Sequence, residues 1–101
     1  MKVEQFINKN QFHIIDYNND IDYLQSYDSL VVKIKNYTED NANIHLITLG
    51  IDWDYSTTTS KHVYAFLEEY GDINFYGITN KRAYVNKLIK DGEIDYDENM
   101  R

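Results

Sequence analysis

The segment Asp52-Trp53-Asp54-Tyr55-Ser56-Thr57-Thr58-Thr59-Ser60-Lys61-His62 separates two kinds of pattern, and that separation limits what the chain can fold into. Before it, short apolar runs are broken by polar residues, as in half-buried strands. After it, apolar residues recur at helical spacing. Val63, Phe66, Leu67 and Tyr70 follow the i, i+3, i+4, i+7 rule and form one apolar stripe. The hydroxyl run Ser56 to Ser60 offers helix caps. Such side-chain oxygens accept from first-turn N–H groups that have no partner inside the helix. A helix over 59–70 is predicted. Gly71 suits the position just past its end, where positive φ is common.

Within the first half, Leu30-Val31-Val32-Lys33-Ile34-Lys35 reads as a strand. Val32 and Ile34 alternate with Lys33 and Lys35, which predicts one buried and one wet face. Ile44 to Leu49 is the next strand, with room to run on to Trp53, and Gly50 marks a bulge or bend in it. Phe12 to Tyr17 is an earlier strand. The polar, acidic stretch Asn18 to Ser29 carries turn chemistry at Asn18-Asn19-Asp20, and Tyr37 to Asn43 reads as a polar hairpin loop. At the N-terminus, Val3, Phe6 and Ile7 stand at helical spacing and predict a short amphipathic helix over 2–9. In the second half, Asp72 to Thr79 reads as a connector or short edge strand. Asn80 caps a last helix, 81–91, packed through Tyr84, Val85, Leu88 and Ile89 and stopped by Gly92. The acidic tail, 93–101, is expected to fray. The expected fold class is α+β: a three-stranded antiparallel sheet with two C-terminal helices on one face and a short N-terminal helix.

At 101 residues with 43% hydrophobic residues, the chain suits a single domain, 1–101, with one modest core. It has no Cys, so neither a disulfide nor a thiolate metal site is available. No apolar run reaches the length of a membrane span. Met1-Lys2-Val3-Glu4 lacks the apolar core of a signal peptide, and cytoplasmic residence is expected. The net charge of -7 argues against indiscriminate DNA binding, which relies on Lys and Arg. It suits a partner with a basic groove, and it equally serves solubility.

The residues Ser26-Tyr27-Asp28-Ser29-Leu30-Val31, followed by a strand and then by Asp52-Trp53-Asp54-Tyr55-Ser56-Thr57-Thr58-Thr59-Ser60-Lys61-His62-Val63-Tyr64-Ala65-Phe66-Leu67, carry a resemblance. The pattern, an SYD turn and then DYS-TT-KH…FL over about residues 26–67, resembles a family of small uncharacterised proteins of phages and mobile elements of Gram-positive bacteria. The resemblance implies such an origin for this chain. It implies no catalytic residue.

Two readings of this pattern stand side by side. In the structural one, Tyr27 and Tyr55 bury their rings, Asp28 ties a turn and the hydroxyls cap a helix. In the functional one, the strand-to-helix junction contacts a partner through Trp53, Tyr55, Lys61 and His62. Asp52 and Asp54 alternate as on one strand face, yet no third acid stands at a diagnostic metal spacing. His13, His45 and His62 lack ligand spacing, and no nucleophile elbow is visible. No cofactor, metal or enzymatic activity is expected. Charge is uneven. Asp16, Asp20, Asp22 and Asp28 form one acidic stretch, and Asp91, Glu93, Asp95, Asp97 and Glu98 form another. The expected function is that of a non-enzymatic accessory protein binding a host protein. Its sharpest form is an anti-CRISPR or anti-restriction inhibitor whose carboxylates imitate DNA phosphates in a nuclease's basic groove. The alternatives are a nucleic-acid-binding regulator using the basic helix at Lys81, Arg82, Lys87 and Lys90, and a self-associating structural domain.

Overall fold

Turns of a few residues fold five successive strands back on one another in a computed structural model that describes residues 1–101. They are β1 (Lys2–Phe6), β2 (Asn8–Asp16), β3 (Ile21–Ser26), β4 (Ser29–Glu39) and β5 (Ala42–Gly50). Helices α1 (Thr57–Tyr70) and α2 (Lys81–Lys90) follow, and then a short strand, β6 (Asp95–Asp97). The sheet order is β1-β2-β3-β4-β5-β6. The first five strands pair antiparallel, and β6 pairs parallel with β5. A parallel neighbour needs a long crossover. Here α1 and α2 supply it.

The class is α+β, but the sheet has six strands and is mixed, which corrects the expected three-stranded antiparallel one. Three segments account for the difference. The N-terminal residues form the β1–β2 hairpin rather than a helix, with Ile7 at φ 65 in its turn. Ile21–Ser26 is a central strand rather than a polar loop. The acidic tail does not fray: Ile94 is buried, β6 adds to the sheet, and Ile51 N donates to Met100 O at 3.1 Å. Gly50 permits that docking, since a Cβ there would stand 2.5 Å from Met100 O and 2.6 Å from Leu30 O. Strand β5 ends at Gly50, so Trp53 lies in a turn.

The helices begin where side chains cap them. Ser56 Oγ accepts from Thr59 N, and Asn80 Oδ1 accepts from Ala83 N. Gly71, at φ -103, is not the left-handed residue after α1; Asp72 is, at φ 61. Gly92 does take positive φ, 79. Both helices lie on one face of the sheet. Leu24, Val32, Ile34, Ile47 and Leu49 from the sheet meet Val63, Phe66, Leu67, Val85 and Leu88 from the helices in one core. Each such side chain, fully buried, contributes about 1.5–3 kcal/mol.

Candidate functional site

The turn between β3 and β4 and the link from β5 to α1 are far apart in sequence, but they line one open groove of about 510 Å³. Two buried or half-buried contacts hold the walls together. Ser26 Oγ and Thr59 Oγ1 share a hydrogen bond of 2.9 Å, tying the end of β3 to the first turn of α1. Ser29 Oγ donates to Asp52 Oδ2 at 2.8 Å, tying the start of β4 to the turn after β5. The resembling segments Ser26–Asp28 and Asp52–Thr59 are therefore two sides of one structure.

The rim is aromatic and wet. Tyr27 is 51% exposed and Tyr55 82% exposed, so neither ring is buried as the structural reading of the motif expects. Asp28 is exposed beside Tyr27. Tyr27 sits at φ 55 in the two-residue turn, a conformation that favours Gly. Its backbone is fastened on both sides. Its N–H donates to Asn10 O at 2.7 Å, and its carbonyl accepts from Gln25 Nε2 at 2.8 Å. The first-turn N–H groups of Thr57 and Thr58, unlike that of Thr59, which Ser56 caps, have no acceptor inside the helix by position. Donors, carboxylates and phenols thus share the groove, which suits a polar chain more than a simple anion.

The other expected contact residues fall elsewhere. Trp53 is 3% exposed and packs edge-on to Tyr64, with ring centroids 6.4 Å apart, so it is a core residue with no surface to offer a partner. Lys61 lines a separate groove between the helices, with Lys81 and Arg82. His62 turns the other way, its Nδ1 2.7 Å from Thr58 O and its ring near Phe6. Asp52 and Asp54 do not share a strand face; Asp54 accepts from Arg82 Nη2 at 2.7 Å.

The acidic stretches are also divided. Asp16 and Asp20 flank the β2–β3 turn, at the end of the sheet opposite Asp28. The Asn19 side chain donates to Asp16 at 2.8 Å and holds that carboxyl below its usual range. Asp22 is occupied within the fold. It lies 2.6 Å from His13 Nε2 and accepts from Asn36 Nδ2 at 2.7 Å. Glu4 near His13 and His45 bonded to Asn36 extend this into a polar row that takes one residue from each of β1 to β5. Asp95 and Asp97 lie on β6, and the tail holding Asp97 and Glu98 runs beside Gly50, at the end that carries the groove. Tyr27 is the rim residue that sequence reasoning left out. The sequence carried no signal for it, because the two-residue turn, where Gly or Asn is usual, exists only once Ile21–Ser26 is a strand.

The fold and groove define a small, mostly-sheet α+β domain with a polar recess rimmed by exposed tyrosines. The chain belongs to a family of unknown function, DUF8033, whose model matches residues 1–83. That stretch holds β1 to β5 and α1 complete and ends inside α2. No curated protein and no solved structure matches the chain. No helix is long and apolar enough to cross a membrane.

Proposed function

We infer that this protein acts without catalysis, binding another protein through the groove end of its sheet. The observation that carries the reading is the pairing of Tyr27 and Tyr55 on the rim with Asp28 between the strands and Asp97 and Glu98 on the adjoining tail. Exposed Tyr side chains give large contact area for few rotatable bonds, and an acidic surround steers a basic partner toward them. The sharpest form of this reading is a cytoplasmic anti-defence protein of phage or mobile-element origin that fills the nucleic-acid groove of a CRISPR or restriction nuclease. The overall charge of -7 and the acidic groove end support it. The basic last helix supports a nucleic-acid reading less well. Arg82 and Lys87 pair with Asp54 and Asp91, and Lys81 lies over the Tyr64 and Phe75 rings.

The test has two parts. Tagged protein is used to capture partners from host lysate, beside a Tyr27→Ala/Tyr55→Ala variant of equal thermal stability. The captured nuclease is then assayed for DNA cleavage with and without the protein, and free DNA is titrated separately. The reading expects capture and inhibition by the wild type, loss of both in the variant, and no binding to free DNA. Equal capture by the variant would remove the groove end as the binding surface.

A further inference from the structure

The helices cover only one face of the sheet, and the alternation of each strand assigns the residues of the other. On that open face Val3, Ile14, Tyr23, Lys33 and Thr48 form one row across β1 to β5. Asp16, Ile21, Lys35 and Leu46 form the next, across β2 to β5. Phe12, Gln25 and Leu30 form a third. Val3 is 59% exposed and Leu46 51% exposed, and Phe12, Ile14, Tyr23 and Leu30 are half-buried without joining the core. Antiparallel sheets commonly leave one face to water, but that face is then polar. Here it is apolar along its middle, with charges at defined places.

Those charges are self-complementary. Asp16 on β2 and Lys35 on β4 stand in one row, each one strand away from Ile21 on β3. A two-fold axis lying over β3, about 15° from its direction so that the strands of the two copies cross at about 30°, lays β2 of one copy over β4 of the other. Asp16 of each copy then faces Lys35 of its mate, giving two reciprocal ion pairs around a centre of Tyr23, while Ile21 in the same strand is already buried, 9% exposed, within one chain. Lys33 falls over Ile14, where its alkyl stem covers the ring of apolar contacts. Strands β1 and β5 cover each other, and β6, with Asp95 and Asp97, projects beyond the overlap into water. Aligned sheets pack about 10 Å apart and cross at about -30°. At one strand spacing from the axis the resulting offset is within the reach of a lysine side chain.

The size also fits. Five strands about 4.8 Å apart and roughly 20 Å long give a face of roughly 500 Å² in projection. The accessible area of a corrugated face exceeds its projection and approaches the roughly 800 Å² per partner that stable dimers bury.

We propose that the open sheet face, through Asp16, Tyr23, Lys35 and Leu46, is a homodimer interface in which two copies stack their sheets about a two-fold axis over β3. Because the axis runs close to the strand direction, the tyrosine-rimmed grooves of both copies open at the same end of the dimer.

The test is sedimentation equilibrium of the full chain across micromolar concentrations, with circular dichroism as the fold control. The wild type is expected at twice the 12.0 kDa mass of one chain. Lys35→Asp sets Asp against Asp16 and should weaken association at least about tenfold, because facing like charges oppose docking. Asp16→Lys should do the same, and the double variant Asp16→Lys/Lys35→Asp should restore the dimer. Leu46→Glu should leave a folded monomer that no charge swap restores. Asp16 also anchors the β2–β3 turn through Asn19. If Asp16→Lys unfolds, Lys35→Asp and Leu46→Glu decide the question. A wild type that stays monomeric, or a dimer indifferent to both of those changes, overturns the proposal and leaves the face to a different protein or the dimer to a different surface.

Discussion

His13 Nε2 lies 2.6 Å from Asp22 Oδ1, with the His13 ring 3% exposed, edge-on to Phe66 and tilted against Tyr70. The contact joins β2 to β3 beneath α1 and gives an acidic residue of the sequence a structural task. Asp22 also accepts from Asn36. Removing the carboxylate strands a ring nitrogen and an amide together. A buried group left without its partner costs about 1–3 kcal/mol. Asp22→Ala should therefore destabilise the protein by roughly 2–4 kcal/mol on that scale, and Asp20→Ala, at an exposed turn, by far less. Urea midpoints for the two variants measure the contrast. Similar midpoints would mean that Asp22 is as dispensable as a surface acid.

Gln11 presents the opposite case. Its side chain is fully buried, and neither its amide oxygen nor its nitrogen has a hydrogen-bond partner within the chain. Burying an amide without a partner costs about 1–3 kcal/mol in proteins. Met matches Gln closely in length and shape and brings no such demand. Gln11→Met should raise stability by about 1 kcal/mol, seen as a Tm several degrees higher. A lower Tm would show that the amide is hydrogen-bonded in solution.

What could be read from the sequence follows from which residues obey a single period. Val32 and Ile34 alternate cleanly with Lys33 and Lys35, and β4 was legible for that reason. The caps Ser56 and Asn80 marked both helix starts to within two residues. Strand β3 was hidden because its two faces are mixed. Asp22 points to the helix side, where His13 and Asn36 satisfy it, while Ile21 and Tyr23 point to the open side. The segment then reads as a polar loop. Val3, Phe6 and Ile7 fit a helical spacing by coincidence. A strand hairpin wins there because β2 offers β1 a ladder, which a short isolated helix lacks. The tail reads as charged and loose, since Ile94 is its one anchor in the core and Gly50, far upstream, makes the space it docks in. At the site, both motif segments were legible. Their convergence was not, since it depends on the register between β3, β4 and β5.

Alkaline pH should expose the packing of Tyr70. Burial, then the negative charge of Glu69, raises its phenol above the ordinary 10.0; burial raises Tyr64 as well. In the unfolded chain both phenols ionise near the ordinary value. Between the unfolded and folded pKa values the unfolded state holds fewer protons, so stability falls as pH rises. The contribution is fully present below pH 10.0 and is lost as pH climbs through the raised folded values. Tyr70→Phe removes one of the two ionisations. Its stability should decline less steeply above pH 10.0 than that of the wild type. Parallel alkaline limbs in pH-dependent urea titrations would show that Tyr70 ionises as freely in the folded protein as in the unfolded one.

Tyr27 and Ile7 permit a separation of folding from binding. Both are non-glycine residues at positive φ, 55 and 65, in the two hairpin turns nearest the groove end of the sheet. The left-handed conformation costs an L-residue roughly 1–2 kcal/mol, and Gly removes that cost while loosening the unfolded chain. Ile7→Gly and Tyr27→Gly should each leave stability unchanged or raise it by up to about 1 kcal/mol. Their effects on partner binding should differ. Tyr27 rims the groove beside Asp28, whereas Ile7 does not line it. A central aromatic contact holds a formed complex, so its loss appears mainly as faster dissociation. Tyr27→Gly should speed dissociation of the captured partner at least about tenfold, and Ile7→Gly should leave it unchanged. Charge reversal divides the acidic residues in the same experiment. Reversing Asp28, Asp97 and Glu98 to Lys should slow association and flatten its salt dependence, because those groups steer the partner to the groove end. Reversing Asp20 at the opposite end should do neither. If Asp20→Lys slows association as much as the triple reversal, the protein's field acts as a whole and the groove end has no special claim on the partner.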